Sequence, residues 1–92
     1  MTKYFNYTFK WYGQDVTISE KVTDRAEERN NWKPAMAAEW MTQWVREHGM
    51  GNTCVHARNL VEVSKKEMVS KEETAHQMET ARNNWLASNV KA

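Results

Sequence analysis

Cys54, His56 and His48 fall within nine residues and are the side chains best suited to chemistry. A thiol and an imidazole two residues apart could work as nucleophile and base, and the three groups together could supply nitrogen and sulfur ligands to zinc. Neither reading is well furnished. Alternate residues on a strand share a face, but no third group is evident to orient the imidazole. The spacing matches no common zinc pattern, and a fourth ligand would have to come from His76 or a carboxylate. His48 beside Gly49 is also well placed simply to stabilise a helix C-terminus, and Cys54 to be a small packed residue. Glu27-Glu28 and Glu72-Glu73 are adjacent pairs that diverge on a helix and suit its first turn. The three glycines, Gly13, Gly49 and Gly51, precede no Lys-Ser/Thr pair, so a phosphate-binding loop is missing. We therefore expect no catalytic residues, metal or cofactor, and a small metal-dependent enzyme is the third-ranked reading.

The elements that hold these residues follow from periodicity. Phe5, Tyr7, Phe9 and Trp11 alternate with Tyr4, Asn6, Thr8, Lys10 and Tyr12, as on a strand with one apolar face. Val16, Ile18 and Val22 repeat the alternation, and Gly13-Gln14 suits a type II′ turn. That turn predicts Trp11 opposite Val16, Phe9 opposite Ile18, Tyr7 opposite Glu20 and Phe5 opposite Val22. Asp24 to Asn31 reads as a short helix or an ordered loop, and Pro34 makes the chain restart near Lys33. From there Met36, Ala37, Trp40, Met41, Trp44 and Val45 form an amphipathic stripe that Gly49 ends. Residues 53–63 fit a strand or a helix, with a strand preferred for Leu60 to Val63. Ser64/Glu67 and Ser70/Glu73 both match a capping box, and one of them starts a last helix ending near Asn89. Its expected buried stripe is Ala75, Met78, Ala81 or Arg82, and Trp85. The order is ββαβα: an α+β fold with a single layer of antiparallel sheet packed on two helices.

Ninety-two residues suit a single domain spanning 1–92. Leu, Ile, Val and Phe number only thirteen, while five Trp and six Met stand in their place. Read by position, Met36, Trp40, Met41 and Trp44, with Trp11, Met78 and Trp85, can pack the sheet against its helices. Trp32, Met50 and Met68 fall at element ends. The formal net charge of +1 gives no global field toward a phosphate backbone or an anionic membrane. The N-terminus carries no signal-like apolar run, no stretch approaches a membrane span, and the single cysteine excludes an internal disulfide. The expected setting is soluble and cytoplasmic, without a membrane partner.

Two surfaces then compete for function. Tyr4, Lys10 and Tyr12 on the hairpin's outer face, with Trp32 and Trp85, are the candidate contacts for a larger protein, since Trp, Met and Tyr concentrate at interfaces. The same tyrosines with Lys10, Lys21, Lys65 and Lys66 could instead stack bases and meet phosphates. Arg29-Asn30-Asn31-Trp32 recurs as Arg82-Asn83-Asn84-Trp85, but the flanks do not continue the match. The leading expectation is a small non-enzymatic protein-binding module, an inhibitor or regulator occupying a surface of a larger host complex. Its size resembles that of phage or mobile-element accessory and anti-defence factors, by analogy alone. A nucleic-acid-binding domain is the alternative. Self-association into a homo-oligomer is a further expectation, because a short sheet has edges to protect.

Overall fold

The computed structural model describes residues 2–23 and 33–89. Strands β1 (Lys3–Trp11), β2 (Gln14–Val22) and β3 (Val61–Val63) form one antiparallel sheet in the order β2-β1-β3. Helix α1 (Lys33–Glu47) and helix α2 (Lys71–Asn89) complete the ββαβα order. The expected segment Asp24 to Asn31 lies outside the described residues, as does Trp32.

The hairpin turn comes one residue earlier than Gly13-Gln14. Tyr12 and Gly13 form it, with φ of +50° and +80°, the two positive values of a type I′ turn. Type I′ matches the right-handed twist of the flanking strands, and glycine takes the second position without strain. Each strand residue consequently meets a partner two positions away from the expected one: Trp11 faces Gln14, Phe9 faces Val16, Tyr7 faces Ile18 and Phe5 faces Glu20. A two-position shift preserves the faces, because side chains alternate with period two. Phe5, Phe9, Val16, Ile18 and Val22 are all buried on the inner face as expected.

Helix α1 packs on that face through Ala37, Ala38, Met41 and Val45. Pro34 sits in its first turn, where its missing N–H costs little, and Gly49 closes it with φ +114°. The expected stripe was centred on the wrong line. At about 100° per residue, Trp44 lies roughly 75° and Trp40 roughly 115° from the middle of the buried stripe. Ala37 and Ala38 lie within the buried stripe, Trp44 packs at its margin, and Trp40 is exposed.

The 53–63 segment is mixed. Val55 is buried and donates its N–H to Thr42 Oγ1 at 2.9 Å, a 3₁₀ turn follows at Ala57–Asn59, and β3 begins only at Val61. Both serine boxes are used. Ser64 and Glu67 close a 3₁₀ turn at Lys65–Glu67, while Ser70 Oγ accepts the Glu73 N–H at 3.0 Å at the start of α2.

Between β3 and α2 the chain crosses the sheet's outer face. Asn6 and Ser19, paired across β1 and β2, hold it there. Asn6 Nδ2 donates to Glu67 O at 3.0 Å, Val69 N–H donates to Ser19 Oγ at 2.8 Å, and Ser19 Oγ donates to Asn6 Oδ1. Ser19 is 1% exposed, and this polar pair is the clasp under the crossover. Helix α2 then runs along the free edge of β2. Lys71 Nζ donates to Ser19 O at 2.6 Å, Thr74 Oγ1 to Thr17 O at 2.8 Å, and Thr17 N–H to Gln77 Oε1 at 3.2 Å. Side chains of α2 thereby satisfy backbone groups that an edge strand leaves open. Its buried residues are Thr74, Met78 and Ala81, whereas Trp85 is exposed, against the expected stripe.

Candidate functional site

The fold separates the residues that looked most chemical. Cys54 and His56 line a groove of about 640 Å³ between α1 and the Cys54–Ala57 segment, with Glu39, Arg46 and Glu47. Arg46 Nε is spent on Thr53 O at 2.8 Å. His48 lies in a different groove. Its Nδ1 is 2.8 Å from Trp44 O, and its ring stacks on the Trp44 indole at 3.7 Å and 12°. Among the described residues, no three His, Cys, Asp or Glu side chains gather to hold a metal ion. The His48/Cys54/His56 ligand set is thus dispersed, and the capping role for His48 is the one its geometry fits.

The hairpin's outer face is divided as well. The crossover lies over its middle at Asn6 and Ser19, so the face is not the continuous open platform anticipated. Tyr4 is half-buried at one end, in a groove of about 350 Å³ shared with Lys21, Lys65 and Lys71. Lys71 is already paired with Glu20 at 2.6 Å. Lys66 is exposed on the neighbouring 3₁₀ turn. Lys10 is exposed and pairs with Asp15 at 2.8 Å. Tyr12 stands at the opposite end of β1, roughly 26 Å from Tyr4 at about 3.3 Å per residue. Rings that far apart cannot serve as neighbouring stacking stations.

What the fold does bring together is the hairpin tip and the C-terminal half of α2. Thr17 lies opposite Thr8, so Tyr12 stands about 13 Å further along the hairpin, and from Thr74 to Trp85 the helix rises about 16 Å. A helix docked at Thr17 by Thr74 therefore delivers Trp85 to Tyr12. Their ring centroids are 5.4 Å apart at 53°, and Tyr12 meets Trp11 edge-on at 4.9 Å and 89°. Tyr12 is held between the two indoles in a left-handed conformation that costs a non-glycine residue about 1–2 kcal/mol. Aromatic pairs of this geometry contribute about 0.5–1.5 kcal/mol each, enough to offset that cost. Trp11 continues inward against Gly49, where an added Cβ would sit 3.3 Å from the indole Cη2. Beside these rings a groove of about 280 Å³ is lined by Trp11, His48, Met78, Glu79 and Arg82, among others.

None of the four described tryptophans is buried. Trp85 is 43% and Trp40 37% exposed, Trp11 and Trp44 are half-buried, and Tyr12 is 37% exposed. The core is built instead from Phe, Val, Ile, Ala and two Met. Of the indoles assigned to packing between sheet and helices, Trp11 and Trp44 do pack against the core while staying half-buried, and the assignment is corrected for Trp40 and Trp85, which are exposed. The buried Val and Ile residues are Val16, Ile18, Val22, Val45 and Val55, and the tryptophans take the margin of the core or the surface. Of the expected contact residues, Tyr12 and Trp85 come together, Tyr4 and Lys10 stand apart from them, and Trp32 lies outside the described residues. Sequence reasoning missed Trp40 as a surface group. The available signal was that Phe5, Phe9, Val16, Ile18, Ala37, Met41 and Val45 already fill the facing positions.

Among the described residues no helix is long and apolar enough to cross a membrane. Compared with protein-family models, curated proteins and solved structures, the chain matches none.

Proposed function

We propose that this chain is a small non-enzymatic protein-binding module, a regulator that acts by covering a surface of a larger protein. The observation that carries the reading is the placement of the tryptophans. A chain this poor in aliphatic residues leaves four large indoles partly in water, and orders two rings of its hairpin tip and one of α2 against one another. Tyr and Trp are the residues whose truncation most often costs more than 2 kcal/mol at an interface, because they present rigid area that loses little entropy on binding. Tyr12 and Trp85, with Arg82 beside them in the adjoining groove, have that composition.

The test is affinity capture with the intact chain, quantified by mass spectrometry, alongside a Tyr12→Ala, Trp85→Ala double variant. The variant should lose the captured partner more than tenfold while keeping its helical circular dichroism. Binding should also change little between low and physiological salt. Full retention of the partner by the double variant refutes the assignment of the tip. A steep loss with salt points to the alternative, a nucleic-acid contact at the Tyr4, Lys21 and Lys65 groove, since released counterions would then dominate affinity.

A further inference from the structure

We propose that the open half of β1 takes up an extended segment of the partner protein as an added strand. The inference rests on the protein-binding reading and names the form in which the partner is bound. In an antiparallel ladder, residues directly opposite each other turn their backbone groups the same way, toward or away from the partner strand. Thr17 turns its N–H and C=O away from β1, onto Gln77 and Thr74. Its opposite number, Thr8, therefore turns both groups away from β2, and so does Lys10, two residues on. Tyr4 and Asn6 have the same parity, and they are the residues paired with Val63 and Val61 of β3.

The β3 ladder stops at Asn6 for a local reason. The chain before β3 is a 3₁₀ turn at Ala57–Asn59 rather than strand, and Leu60 packs toward the core. The edge of β1 from Tyr7 to Trp11 is then a lane with which no described strand pairs, and Thr8 and Lys10 are exposed along it. The contrast with the other edge is informative: α2 spends three side chains on the backbone of β2, while β1 keeps two N–H and two C=O groups facing outward. Their repeat along the edge matches an extended backbone, which is how strand addition obtains affinity independent of side chains.

Charge limits the occupant. Lys10 is neutralised by Asp15 at 2.8 Å, and Thr8 Oγ1 is bonded to Thr17 Oγ1 at 3.1 Å. The two outward-facing residues thus offer no uncompensated charge, and Trp11 at the end of the lane offers a ring. An uncharged segment rich in β-branched and aromatic residues fits it, since such cross-strand neighbours pair best.

The experiment begins with residue-resolved amide exchange by NMR on the intact chain. Thr8 and Lys10 amides should exchange on the order of a hundredfold faster than those of Tyr7 and Phe9, which bond to β2. Protection of Thr8 and Lys10 in the free monomer overturns the proposal, because the lane is then filled. The probe is the tightest octapeptide selected from a random displayed library. It should protect both amides, and N-methylation of its alternate nitrogens should abolish binding while methylation of the intervening ones does not. Binding that survives both methylation patterns overturns the proposal. So does protection that rises with protein concentration and no peptide, which assigns the lane to a second copy. Thr8→Pro and Lys10→Pro remove outward N–H groups without breaking the β2 ladder, and should weaken the peptide at least tenfold. Should either proline variant fail to fold, the methylated peptides decide. Loss of the captured partner in the Tyr12→Ala, Trp85→Ala variant, but not in the proline variants, leaves the protein-binding reading standing and removes this one.

Discussion

Replacing Ser19 by Ala tests whether the crossover is fastened as the geometry indicates. The hydroxyl is donor to Asn6 Oδ1 and acceptor for the Val69 N–H, and the residue is 1% exposed. Its removal orphans one acceptor and one donor. A buried group left without its partner costs about 1–3 kcal/mol, and since Asn6 and Val69 are half-buried, water recovers part of it. The expected loss is about 2 kcal/mol, which for a domain of this size lowers Tm by roughly 8–16 °C. Asn6→Ala also loses its donor to Glu67 O and should cost about 1.5 kcal/mol. Because the two substitutions break a shared bond, the double variant should cost about 1 kcal/mol less than the two losses combined. Urea titrations followed by circular dichroism at 222 nm give each value, and unchanged m-values confirm that the denatured state is the same. A Ser19→Ala loss below about 0.5 kcal/mol, or strict additivity, refutes the clasp.

Two further outcomes separate core from surface and backbone from side chain. Met41→Ala should cost about 2–5 kcal/mol because Met41 is wholly enclosed, whereas Trp40→Ala, with its ring 37% exposed, should cost less than 1 kcal/mol by thermal melting. Equal losses at the two positions would return the tryptophans to the core. Gly13→Ala should cost about 1–2 kcal/mol through its positive φ alone, since nothing lies within 4 Å of the added Cβ. Gly49→Ala adds a 3.3 Å approach to the Trp11 ring and should be the worse of the two by about 1 kcal/mol, with altered indole fluorescence as the second readout.

Much of the fold was legible because it depends on local periods. The alternation from Phe5 to Trp11 and from Val16 to Val22 assigns the faces of the hairpin whichever turn is chosen. The turn itself was misplaced by one residue, since Tyr12 takes a positive φ that its own propensity disfavours, and one of the two rings that hold it, Trp85, comes from the other end of the chain. The capping boxes at Ser64 and Ser70 marked two real beginnings, though only the second opened a long helix. Of the candidate site, Tyr12 and Trp85 were named as contacts for the same partner, but nothing local indicated that they touch. Thr74 and Gln77 were invisible as edge caps because their role exists only once α2 lies beside Thr17.

The sequence by itself determined the element order, the inward face of each hairpin strand and the scarcity of aliphatic side chains, all of which are properties of spacing and composition. Tertiary structure alone decided where the tryptophans went. Ala37, Ala38, Met41 and Val45 seat α1 on the sheet, the Asn6–Ser19 pair routes the crossover over the outer face, and α2 is thereby set along β2. Each is a contact between residues distant in the chain, and together they leave Trp40, Trp85 and Tyr12 exposed while Trp11 and Trp44 pack at the margin of the core.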